Sequence, residues 1–137
     1  MKIFGFIPVR LESIRLPNKA ILEIGDMPMI LHVARRAKLS KVLDSLVVCT
    51  DSHIICDICI NNQIDVVLTK NKHKNGTERI SEAADILNLD KDSLIIDIQG
   101  DEPLVKPYMI DNVANYLSKH KHFDIIVPFI EIFGEET

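Results

Sequence analysis

Arg10, Arg15 and Lys19 fall within one short stretch, IPVRLESIRLPNK (7–19), as the chain leaves its first apolar run. Guanidinium forks and ammonium groups bind phosphate oxygens through charge-assisted hydrogen bonds. Ser13 adds a hydroxyl to the same stretch. Arg15 and Lys19 stand four apart, as on a helix face, but Pro17 between them opposes a regular helix. The stretch therefore reads as a loop whose cations converge, with Arg10 at the strand mouth. A solvated basic surface loop is the competing reading at this point, because most Lys and Arg lie there. Neither G-x-x-x-x-G-K-[ST] nor G-x-G-x-x-G occurs in the chain, so the Walker and dinucleotide readings lose their main support.

A second stretch, IDIQGDEP (96–103), carries carboxylates. Strand alternation would send Asp97 and Gln99, with Asp101 as a candidate third, to one side. Gly100 permits close backbone approach, and Pro103 keeps Glu102 extended. Mg²⁺ takes hard oxygen ligands, usually one or two carboxylates plus substrate phosphates, and Asp101 fits that role. Taken alone, this stretch reads first as an ordinary acidic turn at a strand end. In NGTER (75–79), Asn75 or Thr77 can cap a helix and Glu78 suits its positive end. Arg79 runs against that dipole, which points to a specific partner. CDIC (56–59) falls inside an expected helix, lacks a second Cys pair for zinc, and reads as structural, as does Cys49. The histidines at 32, 53, 73, 120 and 122 form no ligand pattern, and no G-x-S-x-G nucleophile elbow is present.

The elements that must position these residues follow from hydrophobic pattern. Ile3–Val9, 45–50, 64–69 and 93–99 are nearly continuous apolar runs, as expected of buried strands. Met29–Ala37 has the spacing of a one-faced helix. Further helices are expected from Asp51 or Ser52 to about Asn62, from near Thr77 with Ile80, Ala83, Ala84 and Leu87 on one side, and over about 107–119. A last strand candidate covers 124–132, with Pro128 favouring an edge or bulge. The fold class is α/β, an open, mostly parallel sheet with helices on both faces. Ligands of such sheets sit beyond the carboxyl ends of the strands, where loops 10–19, 50–52, 70–77 and 99–106 would gather.

The composition bounds the partners. The 137 residues make about one domain, with a formal net charge of −4, which argues against nucleic acid or an anionic membrane surface as the main partner. The first 41 residues nevertheless hold eight of the 16 Lys and Arg but only three of the 20 Asp and Glu, as suits a small anionic ligand. No apolar run approaches the roughly 18 residues of a membrane span. The opening run is too short for a signal-peptide core. With three cysteines and no disulfide framework, the expected compartment is the cytoplasm.

In order and interval, IPVRLESIRLPNK, CTDS, NGTER and IQGDEP together resemble the motifs of the CMP-Kdo synthetases, the 3-deoxy-manno-octulosonate cytidylyltransferases. The resemblance runs from about residue 3 to the end and is strongest between 7 and 106. It implies a Rossmann-like nucleotidyltransferase half that uses CTP and Mg²⁺. The implied reaction moves CMP from CTP to the anomeric hydroxyl of a keto-acid sugar and releases pyrophosphate, for lipopolysaccharide or surface-glycan precursors. Under it, Arg10, Ser13, Arg15 and Lys19 would cradle the triphosphate, and the backbone at Pro8 and Val9 would approach the cytosine. Asn75 and Arg79 would lie near base and ribose, Gln99 would stand where nucleotide and sugar meet, and Asp101 would hold Mg²⁺. Arg10, Lys19, Gln99 and Asp101 would carry the chemistry.

Four positions depart from the family pattern: Val9 stands for Ala, Asn18 for Gly, Asn75 for Ser and Asp97 for Asn. Asp97 would join the metal site or be a paired buried acid. Relatives of this kind run well past 137 residues, so residues 1–137 are expected to be the nucleotide-binding part, with the sugar-acid and dimerisation part absent. A full-length form would be a homodimer. Two alternatives stay open: a CTP-binding module without turnover, and a cytidylyltransferase for another sugar acid such as an amino-Kdo or a nonulosonate. A protein-interaction domain is weaker, because the charged loops cluster at the ligand edge.

Overall fold

The computed structural model describes residues 2–10, 21, 23–70, 76–90, 92–98, 107, 108 and 110–112. Strand β1 (Ile3–Val9) lies in the interior of a four-stranded sheet whose other members are β4 (Ser45–Thr50), β5 (Asp65–Leu68) and β6 (Leu94–Asp97). The order is β5-β4-β1-β6, and every pairing is parallel. The apolar runs are continuous because both faces of this sheet are covered. On one face Ile7, Val9, Leu46, Val48, Ile96 and Ile98 pack in the larger core cluster. On the other Phe6, Val47, Cys49, Val67 and Ile95 form a second.

Helices α1 (Met29–Ala37) and α2 (His53–Asn61) supply the first core with Ile30, Val33, Ala34, Ile55 and Cys59. Helix α3 (Gly76–Ile86) supplies the second with Ile80 and Ala83. The change of face follows from the handedness of crossovers. The chain moves one way from β1 through β4 to β5, then back past β1 to β6, so right-handed connections place α3 opposite α1 and α2. Arg35 and Arg36 in the last turn of α1 complement its dipole. Ser52 is the N-cap of α2, its Oγ accepting from the Ile55 N–H at 3.2 Å. The described residues at 107, 108 and 110–112 are helical, and Ile110 is buried in the first core. Asp111 ties that segment down by accepting from Ser40 Oγ (2.5 Å) and the Lys41 N–H (3.0 Å).

Two details differ from the sequence expectation. A small antiparallel hairpin, β2 (Glu23–Ile24) and β3 (Met27–Pro28), precedes α1, turning through Gly25 at φ +71°. Glycine enters that backbone region without the steric cost a side chain meets. Leu87 does not continue the buried side of α3: the helix ends at Ile86, the chain turns through Asn88 at φ +54°, and Leu87 is 39 % exposed. Arg79 takes a buried place on α3 beside Ile80 and Ala83. The strand candidate at 124–132 lies outside the described residues.

Candidate functional site

The chain leaves β1 toward β4 on one side and reaches β6 on the other, so the strand order reverses between β1 and β6. In open parallel sheets, that carboxyl-end crevice is where ligands bind. Lys2 and Phe6 accept from the N–H groups of Leu94 and Ile98, both at 2.8 Å, so the even-numbered peptides of β1 face β6. Pro8 is next in that series, and the pairing with β6 has stopped at Phe6 opposite Asp97. A proline there removes no ladder hydrogen bond. By the same alternation its carbonyl turns toward the crevice. Val9 is buried, and Arg10 follows it exposed at the mouth.

The loop after β5 reaches the same edge. The start of α3 is packed so closely on β1 that a Cβ placed on Gly76 would lie 3.0 Å from Pro8 Cγ. Arg79, 4 % exposed, occupies the buried side of this junction. Its Nη1 donates to Thr69 Oγ1 at 2.6 Å and to the Lys70 carbonyl at 3.2 Å, and its Nη2 lies 3.9 Å from Asp51 Oδ2. The Thr69 N–H donates to the Thr50 carbonyl at 2.7 Å, and the Lys70 N–H to the Glu82 carboxylate at 3.0 and 3.3 Å. The specific partner expected for Arg79 is therefore a set of strand-end groups on β4 and β5.

Asp97, 3 % exposed, lies on the α3 face of β6, in the row of Ile95. Cys49 stands in the field of both charged residues. Burial pushes its thiol up to about 12, with Arg79 acting to lower it and Asp97 to raise it. Burial raises Cys59 to about 12 and Cys56 above its usual range, so the CDIC pair has no activated thiolate and stays structural. Among the described residues, no three His, Cys, Asp or Glu side chains gather as metal ligands.

Of the sequence candidates, the structure brings Pro8, Val9 and Arg10 to the crevice and sets Arg79 behind it. Ser13, Arg15, Lys19, Asn75, Gln99 and Asp101 lie outside the described residues. Sequence reading gave no role to Thr69 and placed Asp51 as a helix-cap candidate in loop 50–52 and in the CTDS motif, without a side-chain partner. The available signal was a buried-strand hydroxyl at a strand end, with an arginine ten residues on in a helix's first turn. A cavity of about 540 Å³ bordered by Lys2, Phe4, Asp65 and Asn88 lies at the opposite, amino-terminal edge of the sheet, away from these groups.

A parallel sheet whose strand order reverses between β1 and β6, with helices on both faces, is an α/β fold of the nucleotidyltransferase-like kind. The cytidylyltransferase family model matches residues 4–136, and the chain belongs to that family. It is 45 % identical over 115 residues to the 3-deoxy-manno-octulosonate cytidylyltransferase of Polynucleobacter necessarius subsp. necessarius (strain STIR1), covering 84 % of this chain and 45 % of that one. To the enzyme of the same name from Acinetobacter baumannii (strain AYE) it is 46 % identical over 111 residues, 81 % of this chain and 44 % of the relative. The fold superposes on a solved CMP:2-keto-3-deoxy-manno-octonic acid synthetase complexed with CTP at a TM-score of 0.82, with 29 % identity over 90 % of this chain and 50 % of that one. A cytidylyltransferase from Leptospira borgpetersenii serovar Hardjo-bovis (strain JB197) gives 0.72 and 28 %, over 85 % of this chain and 48 % of that one. The chain spans about half the length of these relatives. No described helix is long and apolar enough to cross a membrane.

Proposed function

We propose that this chain forms the CTP-binding half of a cytidylyltransferase that transfers CMP to the anomeric hydroxyl of Kdo or a close sugar acid, releasing pyrophosphate. The observation that carries this reading is the family match over 4–136 on a sheet whose switch-point strands, β1 and β6, run into the IPVR and IDIQ stretches. In-line attack on the α-phosphorus builds charge on the phosphoryl oxygens and the leaving pyrophosphate, and positioned cations stabilise it. Arg10, with Ser13, Arg15 and Lys19, would hold the triphosphate. The Pro8 carbonyl and Val9 backbone would meet the base, with Asn75 near it. Gln99 would orient the nucleotide against the sugar. Asp101 would hold Mg²⁺ against the phosphate oxygens, and the bound ion would neutralise developing charge. Removing one such cation should cost on the order of 10²-fold in rate.

The test is calorimetric titration with CTP and Mg²⁺, with UTP, ATP and GTP as controls, followed by pyrophosphate release with Kdo. Selective CTP binding supports the nucleotide site, and release with Kdo supports the whole reaction. Equal affinity for all four nucleotides, or for none, overturns the reading.

A further inference from the structure

A buried arginine in a helix's first turn is out of place by two criteria, since the dipole disfavours a cation there and burial removes its water. Arg79 is held there by groups from separate parts of the chain: Thr69 and Lys70 following β5, and Asp51 following β4. A second tie, from the Lys70 N–H to Glu82, fastens the same loop to α3 one turn further on. On its other side the start of α3 touches β1, where a Cβ on Gly76 would lie 3.0 Å from Pro8 Cγ, closer than ordinary contact. Arg79 thus fixes, from behind, where the first turn of α3 stands at the mouth of β1.

We infer that Arg79 is a positioning residue for the nucleotide site: it does not touch the ligand, but through Thr69 and Asp51 holds the α3 start and the Pro8 edge in register. This rests on the CTP reading above and assigns Arg79 an indirect role in place of direct contact with base or ribose. Stability is a poor explanation for such a group, because buried ion pairs are often replaceable by apolar residues at no loss. Geometry is a better one. A guanidinium can address Thr69, Lys70 and Asp51 with donors in one plane, whereas an ammonium acts as a point charge.

The experiment uses Thr69→Val, Arg79→Lys and their double variant in the full chain, titrated with CTP and with inorganic tripolyphosphate. Thr69 is 5 % exposed, so its hydroxyl reports on the clamp and not on ligand contact. Each single variant should weaken CTP about five-fold, with the double no worse than the weaker single, as for residues acting as one unit. Tripolyphosphate affinity should stay within about two-fold of wild type, the range of changes remote from a site. Hydrogen exchange without ligand should show lost protection at Lys70 and over 80–83, the first amides bonded within α3, and not in β1 or β4, which guards against general unfolding. Thr69→Val harmless beside a damaging Arg79→Lys overturns the inference in favour of direct contact. Localised exchange with unchanged CTP affinity overturns it in favour of a purely structural clamp. A wild-type chain that binds no CTP sinks the nucleotide-site reading itself, an outcome visible before any variant is compared.

Discussion

Gly76, the first residue of α3, sits close against Pro8 of β1: an added Cβ would be 3.0 Å from Pro8 Cγ and 3.4 Å from its Cβ, tighter than ordinary contact. Neither side yields readily, since Pro8 belongs to a strand paired with β4 and α3 is anchored through Arg79. Overpacking of this kind costs about 1–3 kcal/mol. Alanine would return up to about 1 kcal/mol of helix propensity, less at a helix end than in its interior. Gly76→Ala should therefore cost up to about 2–3 kcal/mol and lower the melting temperature by as much as about 10 °C, while the displaced α3 start weakens CTP binding several-fold. Unchanged affinity in calorimetry would show that this junction does not shape the site.

The second prediction concerns the ends of α2 and α3, which share one geometry. The Ile64 N–H donates to the Cys59 carbonyl at 2.9 Å and the Gln63 N–H to Ile60 at 3.2 Å. Leu89 to Ala84 (3.2 Å) and Asn88 to Asp85 (3.1 Å) repeat the pattern after α3. Both are Schellman closures that require a left-handed residue, here Gln63 at φ +61° and Asn88 at +54°. Left-handed backbone costs a side-chain-bearing residue about 1–2 kcal/mol, part of which glycine gives back as chain entropy. Gln63→Gly should stabilise the chain by roughly 0.5–1 kcal/mol, raising the melting temperature about 2–4 °C. Asn88→Gly should gain less, because Asn tolerates the region better. Thermal denaturation of the two variants side by side checks the order.

Ser52 gives the third. Its Oγ takes the Ile55 N–H at the start of α2, and no acidic residue stands in that helix's first turn to share the role. Ser52→Ala should cost about 1 kcal/mol and Ser52→Asp almost nothing, since Asp caps as well and suits the dipole. Equal melting temperatures for the two variants would remove the cap from the account.

What the sequence made legible, and what it did not, follows from the range of the signals. Runs such as SLVVCT and the apolar spacing of Met29–Ala37 are local and long enough to name their elements. The Glu23–Pro28 hairpin escaped because each strand has two residues, too few for alternation to show, although Gly25-Asp26 is a turn signal. Gln63 carries no mark of a left-handed turn; hydrogen bonds from Gln63 and Ile64 back to Ile60 and Cys59 impose it. The carboxyl-edge placement of Pro8, Val9 and Arg10 was legible through topology alone. The partners of Arg79 were not, because Asp51 and Thr69 reach it through strand order rather than sequence spacing.

The thiols give a pH prediction. Cys49 and Cys59 are raised by burial from 9.0 to about 12, so between those values the folded chain keeps protons that the unfolded chain releases. Stability is thus fully present below about pH 9 and falls as pH rises through the window, because the unfolded state then binds fewer protons. Alkylation at pH 8 should modify Cys56, the half-buried thiol, before Cys49 and Cys59, which should react only on unfolding. Peptide mapping by mass spectrometry reads the order directly, and early labelling of Cys59 would contradict the burial argument.

The last prediction separates the two halves of the proposed site. Arg10 is exposed just past β1, so its loss should leave the fold intact. If it binds phosphate, Arg10→Ala removes a charge-assisted hydrogen bond of about 1.5–3 kcal/mol, or about ten-fold or more in affinity. Because phosphate is common to every nucleotide, the loss should fall equally on CTP and on inorganic tripolyphosphate, leaving selectivity for cytosine unchanged. It should also flatten the salt dependence of binding, since an exposed charge is the part that ions screen. Thr69→Val should do the opposite, weakening CTP while sparing tripolyphosphate. Titrations of both variants at low and high salt would show these two signatures as distinct, and a selective loss of CTP in Arg10→Ala would move that residue from the phosphates to the base.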